Sequence, residues 1–153
     1  MIGDPMFTAM TTTEIDEREA REINASAGIL EGLAVMMSPP FDAARTGELR
    51  AANQRFRTSA GDPRAVAVAD HDVHRRLVEL CGDERLLRTL APMRRLLLRW
   101  QAAVDVDDAT VVVAASEHDA IIDLLALGDH EGAAQRLREH IAAGLPALLA
   151  AAA

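Results

Sequence analysis

Apolar residues recur at helical spacing along most of the chain, and the interruptions between the runs are rich in Gly, Pro and Asp. Ile15, Ile23, Ala27, Leu30, Ala34 and Met37 mark one face until Pro39-Pro40 ends it, with Thr13 and Asp16 spaced as a capping-box start. A polar, Arg-rich stretch from about Asp42 to Thr58 carries the anchors Leu49, Ala52 and Phe56 and stops at Gly61-Asp62-Pro63. From Arg64 the stripe Val66, Val73, Leu77, Leu80 predicts a third helix ending at Gly82, with Asp83 capping a fourth that runs from Glu84 to about Val104. Pro92 lacks the N–H its turn needs, so this helix is expected to bend. A fifth helix follows Asp105 to Asp108 and reaches Leu127. Gly128-Asp129 then starts a sixth that extends to about Leu149. Val111 to Val113 has strand propensity, but the surrounding Ala and the i, i+3, i+4 pattern outweigh it. The expected fold is all-α, an antiparallel bundle of about six helices over residues 13–150. Residues 1–12, which lack periodicity, are expected to form a flexible leader.

Composition agrees. A chain of 153 residues has room for one core, and with 3% aromatics and no Tyr that core is built from small aliphatic side chains suited to close helix packing. The net charge of −8 and the absence of a clustered basic face argue against direct contact with nucleic acid. The single cysteine, Cys81, cannot form an intramolecular disulfide, and no targeting segment or membrane-length apolar run is evident, so a cytoplasmic location is expected.

The chemistry lies in ionisable residues placed inside apolar stripes. Asp70 and His74, spaced i, i+4 among Val66, Val73, Leu77 and Cys81, point inward from adjacent turns. His118 shares a stripe with Val111, Ala114, Ala115, Ile121, Ile122 and Leu125, and His140 lies beside Leu137, Ile141 and Gly144. One such His is usually a hydrogen-bonded core residue. Three imidazoles and a carboxylate in one small aliphatic core would each cost several kcal/mol if unpaired, about 2–7 for a neutral polar group, and a shared divalent transition metal offsets that. Three nitrogens and one oxygen suit Zn²⁺, Ni²⁺, Fe²⁺ or Mn²⁺. His71, about 100° around the helix from Asp70, and His130, in the first turn of the sixth helix, are expected at the surface, as are Asp72, Asp119 and Asp123. No Gly-rich phosphate loop, nucleophile with its base, or Cys-x-x-Cys finger is found.

These residues carry a family resemblance. Asp70-x-x-x-His74-Arg75 with the turn Cys81-Gly82-Asp83, then Glu117-His118-x-x-Ile121-x-x-Leu124, Gly128-Asp129 and His140-Ile141, resembles the FadR C-terminal (FCD) domain of GntR-type bacterial transcription regulators. The run Ile29-Leu30-Glu31-Gly32-Leu33-Ala34 resembles that domain's first helix, and the likeness covers about residues 14–149. It implies a bundle, usually dimeric, that holds a divalent metal through Asp70, His74, His118 and His140 and binds a small carboxylate beside it. The sequence departs from the family's pattern at Ala27, where an Arg is common, at Val73 for Phe, and at Asp83 for Asn. The twelve-residue leader is too short to encode the family's winged-helix DNA reader.

The function expected is metal-dependent sensing of a small carboxylate, with Arg94 and Arg99 of the fourth helix as its charge partners. A stand-alone metalloenzyme acting through open coordination positions is the alternative. No further inward carboxylate or His is seen to serve it as a general base. A purely structural interaction module would leave the four inward polar groups unexplained.

Overall fold

Six helices joined by short turns make up the described residues, 15–152, of the computed structural model. They are α1 (Glu17–Met37), α2 (Ala43–Arg57), α3 (Pro63–Val78), α4 (Glu84–Gln101), α5 (Asp108–Ala126) and α6 (His130–Ala152), with no strand among the described residues. The all-α bundle expected from the hydrophobic pattern is what forms. The leader and the Thr13 cap lie outside the described residues.

Aspartate starts every helix. Asp16, Asp42, Asp62, Asp83 and Asp107 each accept a hydrogen bond from a backbone N–H of the first turn, and Asp129 accepts one from Gly132. Each such cap contributes about 1 kcal/mol, and its charge sits at the positive end of the helix dipole. Asp16 and Glu19 close a complete capping box, which is why α1 begins at Glu17.

Two other boundaries differ from expectation. α3 stops at Val78, because Glu79 to Gly82 form a turn that ends on Gly82 in the left-handed region (φ +70°). α4 ends at Gln101 and continues unbroken through Pro92, which faces solvent. The Val111 to Val113 triplet is helical, with Val111 buried and its two neighbours exposed, as a helix face and not strand alternation requires.

α1 lies against α6 at close range because the facing positions are small. A Cβ on Gly28 would meet Ile141 at 3.3 Å, and one on Gly32 would press into the stem of Arg138 at 2.9 Å. α6 also packs on α5, α5 on α2, and α4 on α1 and α3, so helices α3, α5 and α6 surround a common interior. Leu77, Leu97, Ile121, Ile122, Leu125 and Leu137 are fully enclosed in it.

Asp72, expected on a solvated face, instead ties α3 to α2. It accepts hydrogen bonds from Arg75 (2.7 Å), Arg76 (3.0 Å) and Arg55 of α2 (3.3 Å). Burial opposes ionisation of its carboxyl, but these guanidinium groups outweigh it and hold the pKa at about 2. A depressed carboxyl pKa stabilises the fold above the unfolded value of about 3.9 and loses that contribution as pH falls through the folded value. Urea midpoints of the wild type and Asp72→Asn should therefore differ at pH 7, with the gap closing as pH falls from about 4 toward 2. A gap that persists at pH 2 would exclude the charged network as its source.

Candidate metal centre

Three helices deliver the predicted site. α3 presents Asp70 and His74 from successive turns, α5 supplies His118 and α6 supplies His140, and all three imidazoles are buried. One ligand atom from each of the four residues falls within 4.8 Å of the others. His118 Nε2 stands 3.0 Å from His140 Nε2 and 3.4 Å from Asp70 Oδ1, and His74 Nε2 lies 3.7 Å from the same oxygen. Phe56 tilts against the His118 ring with centroids 5.1 Å apart.

The opposite edge of each imidazole is occupied by an acceptor, and this fixes where its proton sits. His74 Nδ1 donates to Glu31 Oε2 at 2.6 Å, and His140 Nδ1 donates to Glu117 Oε2 at 2.5 Å. Asn53 uses its amide nitrogen on Ala115 O and Asp119 Oδ1, both at 2.8 Å, so its oxygen is the atom 2.9 Å from His118 Nδ1 and accepts from it. Arg57 extends this chain by donating to Asp119 at 2.8 Å. All three rings therefore carry hydrogen on Nδ1 and turn an Nε2 lone pair toward one point.

That arrangement fits a cation. Two lone pairs facing at 3.0 Å repel unless something positive lies between them. Burial, together with the neighbouring imidazoles, moves the His140 pKa to about 4, and burial also depresses that of His118, so a proton does not fill the gap near neutral pH. Bonds of about 2.0–2.2 Å to a shared ion place ligand atoms roughly 3.0–3.6 Å apart, close to the separations found. Asp70 is placed to serve as the anionic ligand: burial opposes its ionisation, but the Arg94 guanidinium 3.9 Å away favours the carboxylate.

Sequence reasoning missed Glu31, Asn53 and Glu117. Glu31 is the most consequential, fully buried on α1 between His74 and Arg94, whose Nε is 3.2 Å from Glu31 Oε1 but off the axis of a hydrogen bond. Burial raises its pKa, yet Arg94 and His74 outweigh that and keep it ionised. It lies on the stripe of Ala27, Ala34 and Val35, so the argument applied to the histidines would have found it. Asn53 was equally accessible, one turn from Leu49 and beside Ala52. Glu117 was not, because it is half-exposed and its partner comes from another helix.

A cavity of about 200 Å³ adjoins the centre, lined by Asp70, His74 and His140 and by apolar residues of α3, α5 and α6. Of the two arginines expected to face it, Arg94 does, buried with its guanidinium 3.9 Å from Asp70. Arg99 does not line it. Five residues turn a helix by about 140°, which carries Arg99 to another face. His71 is not a surface residue as expected. It is half-buried near Arg94, its Nδ1 enclosed without a partner, and burial lowers its pKa. His130 is partly exposed, bonded to backbone oxygens of Gly128 and Pro39 and packed against Phe41.

An all-α bundle with a partly exposed Asp and three buried His converging on one point, each imidazole braced from behind by an acceptor, defines a helical domain with a candidate metal site beside a cavity. The FCD domain model matches residues 22–143, and the chain belongs to that family, the ligand-sensing domains of GntR-type transcription regulators. No curated protein and no solved structure gives a match. No described helix is long and apolar enough to cross a membrane.

Proposed function

We propose that this domain senses a small carboxylate through one divalent transition metal (Zn, Ni, Fe or Mn) held by Asp70, His74, His118 and His140. The observation that carries the reading is the set of three Nε2 lone pairs turned toward one carboxylate, with every Nδ1 hydrogen engaged behind. A bound ion supplies a Lewis-acidic point for an anion in the adjoining cavity. Arg94 provides a second positive group there. Its packing against Glu31 fixes its position, so it meets an incoming carboxylate without first paying to become ordered. The lining comes from several helices, so an anion that contacts Arg94 on α4 and the centre on α3, α5 and α6 favours the packing in which these elements are close.

Sensing is favoured over turnover because the carboxylates at the cavity are already engaged, Asp70 at the centre and Glu117 on His140, leaving neither free to act as a base. A dimer suits the outer face of α1, where Ile29, Leu33, Met36 and Met37 form an exposed apolar stripe.

Calorimetry on metal-loaded protein tests this. Carboxylate binding should disappear on chelation and in Asp70→Ala and His140→Ala, and persist in His130→Ala. Affinity that survives metal removal places the ligand elsewhere, and conversion of the bound acid, followed by NMR, would establish the metalloenzyme instead.

A further inference from the structure

The cavity specifies more than a carboxylate. Its polar groups gather at one end, where Asp70, His74, Arg94, Glu117 and His140 stand, and the remainder is walled by residues such as Phe56, Val66, Val111, Ile141, Leu145 and Leu148. Helix rise gives its length. Seven residues separate Arg94 from Gln101 and eight separate His140 from Leu148, so the cavity extends about 10–12 Å from the charged end.

We infer that the ligand is a monocarboxylate with an unbranched or aromatic apolar body of medium length, and not a di- or tricarboxylate. This rests on the metal-sensing reading above and narrows it to one class of acid. Charge supports it first. At the charged end Asp70, Glu31 and Glu117 already balance a divalent ion and Arg94, so the site offers one carboxylate a place on the ion but no excess positive charge for a second. Arg94 is the sole Lys or Arg among the residues lining the cavity, so a second carboxylate at the far end finds no counter-charge there. Size agrees. Benzene, with six non-hydrogen atoms, occupies a cavity of about 150 Å³, so the volume here suits about eight, as in hexanoate, and the length of the cavity admits octanoate.

Octanoate and its dicarboxylate counterpart suberate differ only at the distal end, and acetate represents the head group alone. In titrations of zinc-loaded protein, octanoate should bind at least tenfold more tightly than suberate, acetate or citrate, since each buried methylene contributes a factor of roughly four. Ala114 lines the cavity on α5, where a longer side chain leans toward the helix N-terminus and away from Glu117 and His118, so Ala114→Leu fills the apolar part without reaching the charged end. That variant should lose octanoate tenfold or more and keep acetate unchanged. Leu148→Arg, which places a cation at the distal end, should shift preference toward suberate, and thermal melting checks that both variants fold. Suberate or citrate binding as tightly as octanoate, octanoate unaffected by Ala114→Leu, or no gain for suberate in Leu148→Arg would overturn the inference while leaving metal-dependent sensing intact. If no carboxylate binds the zinc-loaded chain, or octanoate binds equally after chelation, the sensing mechanism itself fails.

Discussion

Chelation of the purified protein should lower its melting temperature by about 10 °C, and added Zn²⁺ or Ni²⁺ should restore it. An ion present at about a thousandfold over its dissociation constant stabilises the folded state by roughly 4 kcal/mol, and for a chain near 150 residues each kcal/mol moves the midpoint by about 2–4 °C. The structure gives the reason the metal-free state is weak. Without an ion, the Nε2 atoms of His118 and His140 oppose each other at 3.0 Å, and the Nδ1 bonds to Asn53 and Glu117 prevent either ring from turning to relieve it. His118→Ala removes this conflict together with the site, so the variant should melt at the same temperature with and without chelator. Elemental analysis should find about one metal ion per wild-type chain and none in the variant. A wild type whose melting ignores both chelator and added metal would refute the centre.

The four converging residues were readable from the sequence because helix periodicity decides which side chains point inward, and an ionisable residue inside an apolar stripe stands out against it. The helices were readable for the same reason, down to α2, where three anchors in a polar run sufficed. What periodicity cannot provide is contact between elements. His71 sits a step of about 100° from Asp70, and on an isolated helix that separates buried from exposed. In the bundle α4 packs on α3, His71 is left half-buried, and the charge of Arg94 is felt there. Arg94 and Arg99 looked equivalent because an Arg-rich amphipathic helix does not reveal which of its arginines meets a buried acid. Glu31 decides between them, and it lies more than sixty residues earlier in the chain. Asp72 likewise depended on Arg55 from a neighbouring helix.

Glu31→Leu should be the most destabilising single substitution near the site, costing about 3–5 kcal/mol, because it leaves the Arg94 guanidinium buried without its counter-charge. The cost belongs to the orphaned charge and not to the loss of a favourable pair. Replacing a buried ion pair by apolar groups of similar volume is often neutral or stabilising, so the double variant Glu31→Leu/Arg94→Met should recover most of the lost stability in urea unfolding. Metal affinity should not recover with it. Glu31 also accepts the Nδ1 hydrogen of His74 at 2.6 Å, which orients the ring and raises the basicity of Nε2. Losing such a partner typically weakens metal binding about 10- to 100-fold. Glu31→Gln, whose amide oxygen can still accept from His74, should therefore retain more metal affinity than the double variant despite losing the charge. Competition with a chromogenic chelator ranks the three proteins. If the double variant binds metal as tightly as the wild type, Glu31 serves only to neutralise Arg94 and plays no part in holding His74.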